Sequence, residues 1–173
     1  LIQCISSQAS EINLDQKLSL NEEIIYGKLD NNFTYYIKQN VKPKKKATIH
    51  LILKAGSLME DDDQLGIAHL IEHMVFNGTK NYPKNKINDY LNSIGLQIGS
   101  DYNATTGFEK TTYKMEIPTD DISKIEKGLH ILSEMVGYAT LDDSSFEKEK
   151  KIVEEEWRSD LGKSKRLYEE YKK

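Results

Sequence analysis

The sequence is poor in cysteine, in proline and in long apolar runs. Its 173 residues include one cysteine, Cys4, and three prolines. A single cysteine excludes an internal disulfide framework and any zinc site that needs several thiolates. No apolar run approaches the roughly 18 residues that a membrane-spanning helix needs. With ten glycines in addition, the composition is neither collagen-like nor that of a proline-rich linker.

The charge balance is slightly negative. Twenty-four basic residues stand against 28 acidic ones, which gives a net charge of -4, and 38% of the residues are hydrophobic. These values are typical of one globular domain, and they argue against a general nucleic-acid binder. The basic stretch at residues 42–46 could contact nucleic acid or anionic lipid, but a solvated loop is the simpler interpretation. We therefore expect no nucleic-acid partner.

The chain begins at Leu1 rather than at methionine, and its first residues differ in composition from the rest. Residues 1–4 could be the end of a bacterial lipoprotein signal, with a lipid anchor on Cys4. Gln3 does not fit that signal, so an ordinary chain start is the alternative. We predict a tether or signal remnant at residues 1–22 and one domain at 23–173, incomplete at its C-terminal end. The lipoprotein interpretation places the protein in the bacterial cell envelope, periplasmic or lipid-anchored; the alternative is a cytoplasmic or organellar location.

The early part of the chain has the residue pattern of β-strands. Residues 24–29 and 33–37 are rich in isoleucine and aromatic residues, and Asp30-Asn31-Asn32 between them predicts a hairpin. A third strand is predicted at 47–55, and another at 111–117, where Pro118 follows.

Helical patterns alternate with these strands. Helices are predicted at 65–76, 86–94, from Ile122 to Val136 behind the cap Thr119-Asp120-Asp121, and from Ser144 or Ser145 through Trp157. The acidic run 61–63 suits the positive end of the first helix. Strands followed by mixed helices and strands predict an α+β fold, a largely antiparallel sheet with helices packed on one face.

The strongest chemical signal is His69-Leu70-Ile71-Glu72-His73. Histidines four residues apart share one face of a helix, with Cβ atoms about 5–6 Å apart, so both rings can reach one metal ion. Neutral imidazoles suit Zn²⁺, which lowers the pKa of its water toward about 7. Glu72 lies on nearly the same face and can take the proton of that water. The alternative is an ordinary pair of histidines, but three such residues within five make coincidence a poor explanation. His50 and His130 lack comparable partners, and we expect them to be structural or exposed.

Two imidazoles leave a catalytic zinc one protein ligand short. Residues 147–157 offer several glutamates, and helical phase separates them. Glu156 and Glu149 fall on the same side as Ile152, Val153 and Trp157, whereas Glu154 and Glu155 point away. A carboxylate within an apolar stripe is costly unless it is paired or binds a cation. Glu156 is therefore the predicted third ligand and Glu149 a supporting carboxylate beside the ligands; an acidic, solvated helix of slightly different phase is the alternative.

Four segments together resemble one enzyme family. Residues 66–79, which contain the two histidines, resemble the zinc helix of the pitrilysin/insulinase peptidases, a family that includes the mitochondrial processing peptidases. The likeness continues through 90–95 and 101–105, and it ends at 149–158, which is similar to the family's segment with the third zinc ligand. It covers most of residues 24–160 in the family's order.

The resemblance implies a zinc metalloendopeptidase with a processing-peptidase-like metallohydrolase fold. It implies that His69, His73 and Glu156 bind one Zn²⁺ and that Glu72 is the general base. It also implies that Asn103 and Ala104 lie on an edge strand that pairs with a peptide substrate in extended conformation. A second homologous domain or subunit would close the site, so we expect this chain alone to be inactive. The alternatives are a catalytically inactive peptide-binding or structural subunit of the same fold, and a structural metal-binding protein.

Overall fold

The computed structural model describes residues 19–171, without the side chains of residues 161–169 and 171. Cys4 and most of the predicted tether lie outside the described residues, so the lipid anchor stays a prediction. The chain divides into two compact units between Lys44 and Lys45. Within the described residues, no helix is both long enough and apolar enough to cross a membrane.

The first unit contains a β-hairpin. Strands β1 (Ile24–Lys28) and β2 (Thr34–Lys38) pair antiparallel, with Ile25 opposite Ile37 and Tyr26 opposite Tyr36. The turn is closed by the Leu29 amide, which donates to the Phe33 carbonyl at 2.8 Å. The predicted hairpin is confirmed; β1 ends one residue earlier than predicted, and β2 begins and ends one residue later.

The second unit is built on a three-stranded antiparallel sheet. Its strands are β3 (Lys46–Leu53), β4 (Tyr102–Thr106) and β5 (Thr111–Pro118), in the order β3-β5-β4. Alternate residues of β5 are buried, namely Thr111, Tyr113, Met115 and Ile117. This period of two is the pattern of a strand with one face in the core. Within the described sheet, β4 is an edge strand.

The described residues form four α-helices: α1 (Ile67–Met74), α2 (Lys86–Ser93), α3 (Ile122–Gly137) and α4 (Asp143–Tyr171). Helix α3 packs on β5, and α1 contacts both β4 and α4. Gly128 permits close packing of α3, because a Cβ atom there would lie 2.1 Å from Cδ1 of Ile117. The α+β class with an antiparallel sheet is therefore confirmed.

The start of α1 differs from the prediction. The helix begins at Ile67 rather than at residue 65, and the acidic run 61–63 does not cap it. Glu60 does so instead: its two carboxylate oxygens accept from the amides of Gly66 and Ala68, both at 2.8 Å. Gly66, with φ of 90°, turns the chain so that these amides face Glu60. A carboxylate at this position also suits the positive end of the helix.

Candidate metal centre

Helix α1 brings His69 and His73 together. Four residues apart, they lie on consecutive turns of one face, and their Nε2 atoms are 3.2 Å apart. The rings meet edge to face, with centroids 4.8 Å apart and planes at 79°. Both nitrogens therefore point toward one location beside the helix.

Glu156 of α4 supplies a third donor at that location. Its Oε2 atom lies 3.5 Å from Nε2 of His69 and 3.5 Å from Nε2 of His73. The three donor atoms form a nearly equilateral triangle. A tetrahedral Zn²⁺ with bonds of about 2.0–2.1 Å separates its ligand atoms by about 3.3–3.4 Å, so the triangle fits one face of that tetrahedron. A histidine pair that merely shared a proton would need no carboxylate equidistant from both rings.

Glu149 supports the histidine pair from the side opposite the triangle. Its side chain is buried, and its Oε2 lies 3.4 Å from Nδ1 of His73. Its Oε1 accepts from the Asn77 side-chain amide at 3.1 Å. A carboxylate beside Nδ1 favours the tautomer with the proton on Nδ1, so the lone pair of His73 is on Nε2 and faces the donor triangle. This is the usual arrangement around a metal-bound histidine.

The other glutamates of α4 point elsewhere. Glu154 and Glu155 are exposed and lie 3.9 Å and 3.2 Å from the guanidinium of Arg158. One premise of the helical-phase prediction is wrong, however, because Trp157 is 64% exposed and Ile152 is 38% exposed, so neither marks a buried side. The Glu156 side chain is itself 47% exposed. Helix α1 covers only a narrow strip of α4, so Glu156 lies at the rim of the contact rather than within a buried stripe.

Glu72 lies beside the triangle and takes no part in it. Its side chain is buried, and its Oε2 accepts a 2.6 Å hydrogen bond from the Thr106 hydroxyl. Burial and, next, the negative charge of Glu72 raise the pKa of Tyr113 to about 12, so this neighbouring phenol stays neutral. The sequence predicted a role for Glu72 but not for Thr106. The feature that could have drawn attention to Thr106 is its position directly after residues 101–105, a segment that resembles the peptidase family.

Strand β4, which carries Asn103 and Ala104, runs alongside α1. The Asp101 carbonyl accepts from the Glu116 amide at 2.7 Å, and the Gly107 amide donates to the Lys110 carbonyl at 2.9 Å. In an antiparallel pair, every second residue makes backbone hydrogen bonds to the partner strand. The backbones of Asn103 and Thr105, which lie between Asp101 and Gly107 in this alternation, therefore bond to β5. Those of Tyr102, Ala104 and Thr106 therefore face away from the sheet.

Part of this outer edge is already engaged. The Tyr102 amide donates to the Gln97 carbonyl at 3.3 Å, and the Tyr102 carbonyl accepts from Gly99 at 2.8 Å. The Ala104 amide donates to Oδ1 of Asn103 at 2.9 Å. The stretch that remains for another strand is therefore short, from Ala104 to Thr106.

The two remaining histidines lie outside this centre. His50 and His130 are both exposed, and the His130 ring stands 5.8 Å from that of Tyr82. Neither belongs to the cluster of metal-type donors in the described part of the chain, which consists of His69, His73 and Glu156. This agrees with the expectation that they are ordinary residues.

One protein family and several known proteins match this chain. The family described as Insulinase (Peptidase family M16) matches residues 35–169. The probable zinc protease PqqL of Haemophilus influenzae is 37% identical over 163 residues, which are 94% of this chain and 18% of that protein. The crystal structure of the first half of the periplasmic protease PqqL from Escherichia coli is 38% identical, with a TM-score of 0.79; the match covers 82% of this chain and 30% of that one.

A relative that is named as a subunit of a complex rather than as a protease also matches. Subunit 1 of the mitochondrial cytochrome b-c1 complex of Bos taurus is 29% identical over 141 residues, which are 82% of this chain and 28% of that protein. In each of these comparisons the chain spans less than a third of the relative.

Proposed function

The chain belongs to the insulinase family of peptidases, family M16, and from this premise we propose that it carries the catalytic centre of an endopeptidase that cleaves extended peptides. Its cofactor is Zn²⁺, as the names of its zinc-protease relatives indicate. The observation that carries the proposal is the triangle of Nε2 of His69, Nε2 of His73 and Oε2 of Glu156, with edges of 3.2–3.5 Å.

In this proposal His69, His73 and Glu156 hold the metal, and Glu149 orients His73. When bound, zinc lowers the pKa of a coordinated water and polarises the carbonyl of the scissile bond. Glu72 accepts the proton of the attacking water and then passes it to the leaving amine. Its position supports this role, since it is on the ligand helix, buried, and free of the donor triangle.

The substrate of this proposal pairs with the outer edge of β4. An extended peptide gains main-chain hydrogen bonds there, which gives affinity with modest demand on its side chains. The outward backbone groups of Ala104 and Thr106 set the register. To free the Ala104 amide, the exposed Asn103 side chain rotates away, and its amide then becomes available to the same peptide.

The working enzyme of this proposal is larger than the chain. PqqL of Haemophilus influenzae is matched over 18% of its length, and the first half of the Escherichia coli protease over 30%. We propose that a second homologous domain or subunit closes over the zinc site, excludes water and contributes groups for the oxyanion. The Escherichia coli relative is described as periplasmic, and the same location is proposed for this protein.

A structural subunit without activity is the second candidate, because a relative of this fold is a subunit of the cytochrome b-c1 complex. The geometry favours the peptidase. A structural subunit needs neither three donor atoms at zinc-ligand spacing nor a buried carboxylate beside them.

The deciding experiment uses the full-length protein that contains this segment. Purified protein is analysed for zinc and incubated with unstructured peptides, and cleavage is followed by mass spectrometry. The proposal expects about one zinc per catalytic domain and internal cleavages that disappear in Glu72→Gln. Stoichiometric zinc without any cleavage would favour the structural subunit.

A further inference from the structure

The hydrogen bond between Thr106 and Glu72 joins two parts of the proposed machinery. The hydroxyl belongs to the edge strand that would receive the peptide, and the carboxylate belongs to the helix with the metal ligands. At 2.6 Å this is a short, charge-assisted bond, and it spans 34 residues of sequence.

A second threonine fixes the direction of that bond. Oγ1 of Thr111 donates to the Ala55 carbonyl at 2.9 Å and lies 3.4 Å from Oγ1 of Thr106. A hydroxyl has one proton, and a carbonyl can only accept. Because the proton of Thr111 is committed to Ala55, Thr111 cannot donate to Thr106. The ionised Glu72 carboxylate can only accept, and it lies nearer to the Thr106 hydroxyl than Oγ1 of Thr111 does, at 2.6 Å against 3.4 Å, so the proton of Thr106 goes to Glu72.

The position of Thr106 in β4 is set by the pairing of β4 with β5. Thr106 lies opposite Thr111 in the β4–β5 register, and Thr111 is buried. Within the described residues, the side-chain hydrogen bond to Glu72 is made at Oε2, which leaves Oε1 for the reacting groups.

We propose that Thr106 is the positioning residue of Glu72. Thr106 holds the Glu72 carboxylate in a fixed position relative to β4, the strand that binds the peptide. The general base and the scissile bond are therefore aligned through the same residue. The proposal rests on the proposed function. A purely structural role, in which Thr106 only attaches β4 to α1, is the alternative that the test must separate.

The test compares Thr106→Val, Thr106→Ser and the matched control Thr48→Val in the full-length enzyme. Thr48 is an exposed threonine of β3, the strand at the opposite edge of the sheet from β4. Removal of the hydroxyl in Thr106→Val should lower kcat about 10- to 100-fold and leave KM within about twofold, because a misplaced base costs turnover rather than binding. Thr106→Ser keeps the donor and should stay close to the wild-type kcat. Thr48→Val should change neither constant, and zinc content should be equal in all four proteins.

Three results would overturn the proposal: a wild-type kcat in Thr106→Val, an equal loss in Thr106→Ser, or a loss of zinc together with activity. A crystal structure of Thr106→Val gives a readout independent of turnover, since the Glu72 carboxylate should leave its wild-type position; an unmoved carboxylate would also refute the role. If the wild-type enzyme cleaves no peptide, the proposed function fails, and the crystallographic comparison still decides the role of Thr106.

Discussion

The side-chain amide of Asn77 donates a 3.1 Å hydrogen bond to the carboxylate of Glu149, 72 residues later in the chain. The bond joins the segment just after α1 to the long helix α4. The same carboxylate faces Nδ1 of His73 at 3.4 Å, so the two helices that supply the donor triangle are held together beside one of its members. The relative placement of the histidines and Glu156 therefore depends on protein contacts next to the triangle.

The role of Glu72 can be separated from metal binding. Glu72 is outside the donor triangle, so Glu72→Gln should retain zinc. Loss of the general base should lower peptide turnover in the full-length enzyme about 100-fold or more. The measurement is kcat on an unstructured peptide, together with zinc content by atomic absorption. Near wild-type turnover in a zinc-loaded variant would refute the assignment.

Glu156 and Glu155 form a matched pair for testing the third ligand. Oε2 of Glu156 lies 3.5 Å from both histidine nitrogens, whereas Glu155 pairs with Arg158 and is exposed. Glu156→Gln should weaken zinc binding at least about tenfold, since changes even beside the ligands cost that much. Glu155→Gln should leave the affinity nearly unchanged. Titration against a competing chelator measures both, and the reverse order would transfer the ligand role to Glu155.

The 173-residue chain by itself should not turn over peptides. It spans 18% of its Haemophilus influenzae relative, and donors for the oxyanion of the tetrahedral intermediate, which can contribute about 3–4 kcal/mol, are proposed to come from another domain. Zinc-loaded chain is incubated with unstructured peptides, and products are detected by mass spectrometry. Multiple turnovers that vanish in Glu72→Gln would show that one domain suffices.

The stability that the N-terminal cap of α4 contributes should decrease in acid. Asp142 accepts from the Ser144 hydroxyl and from the amide and hydroxyl of Ser145, and the bond from Ser144 is the main cause that lowers its pKa from 3.8 to about 2. A folded-state pKa below the ordinary value means that the ionised cap stabilises the helix above pH 3.8. This contribution is lost as the pH falls toward about 2.

Asp142→Ala should therefore lower the thermal midpoint at neutral pH, and its difference from wild type should shrink as the pH falls below 3.8. Asp142→Asn is the control, because asparagine is also a good N-cap and does not titrate in this range. A difference between wild type and Asp142→Ala that is constant with pH would contradict the capping role of the ionised carboxylate.

Local patterns in the sequence predicted the parts of this structure that depend on neighbouring residues. The hairpin around Asp30-Asn31-Asn32 and the shared face of His69 and His73 follow from turn chemistry and from the helical repeat. The choice of Glu156 over its two neighbours also follows from helical phase, although the same reasoning placed the exposed Trp157 on the apolar side of the helix. Their roles in the reaction stay predictions.

The remaining contacts depend on register and packing between distant segments. Thr106 meets Glu72 only because β4 pairs with β5 in one register and α1 lies beside β4. Asn77 meets Glu149 only when α4 packs on α1. Glu60 caps α1 from six and eight residues away, because a loop with a left-handed glycine folds back. No spacing rule within one element predicts such pairs.

The bond from the Ala104 amide to the Asn103 side chain has a consequence for association between copies of the protein. An open sheet edge is a template for any extended segment, including the same segment of another molecule, and so favours aggregation. Asn103 occupies one of the outward donors, and residues 97–99 occupy the groups of Tyr102, which shortens the template. A chain that adds there must first displace an internal hydrogen bond. The Asn103 side chain thus protects the edge of β4 against non-specific pairing with another strand, and it can still rotate away.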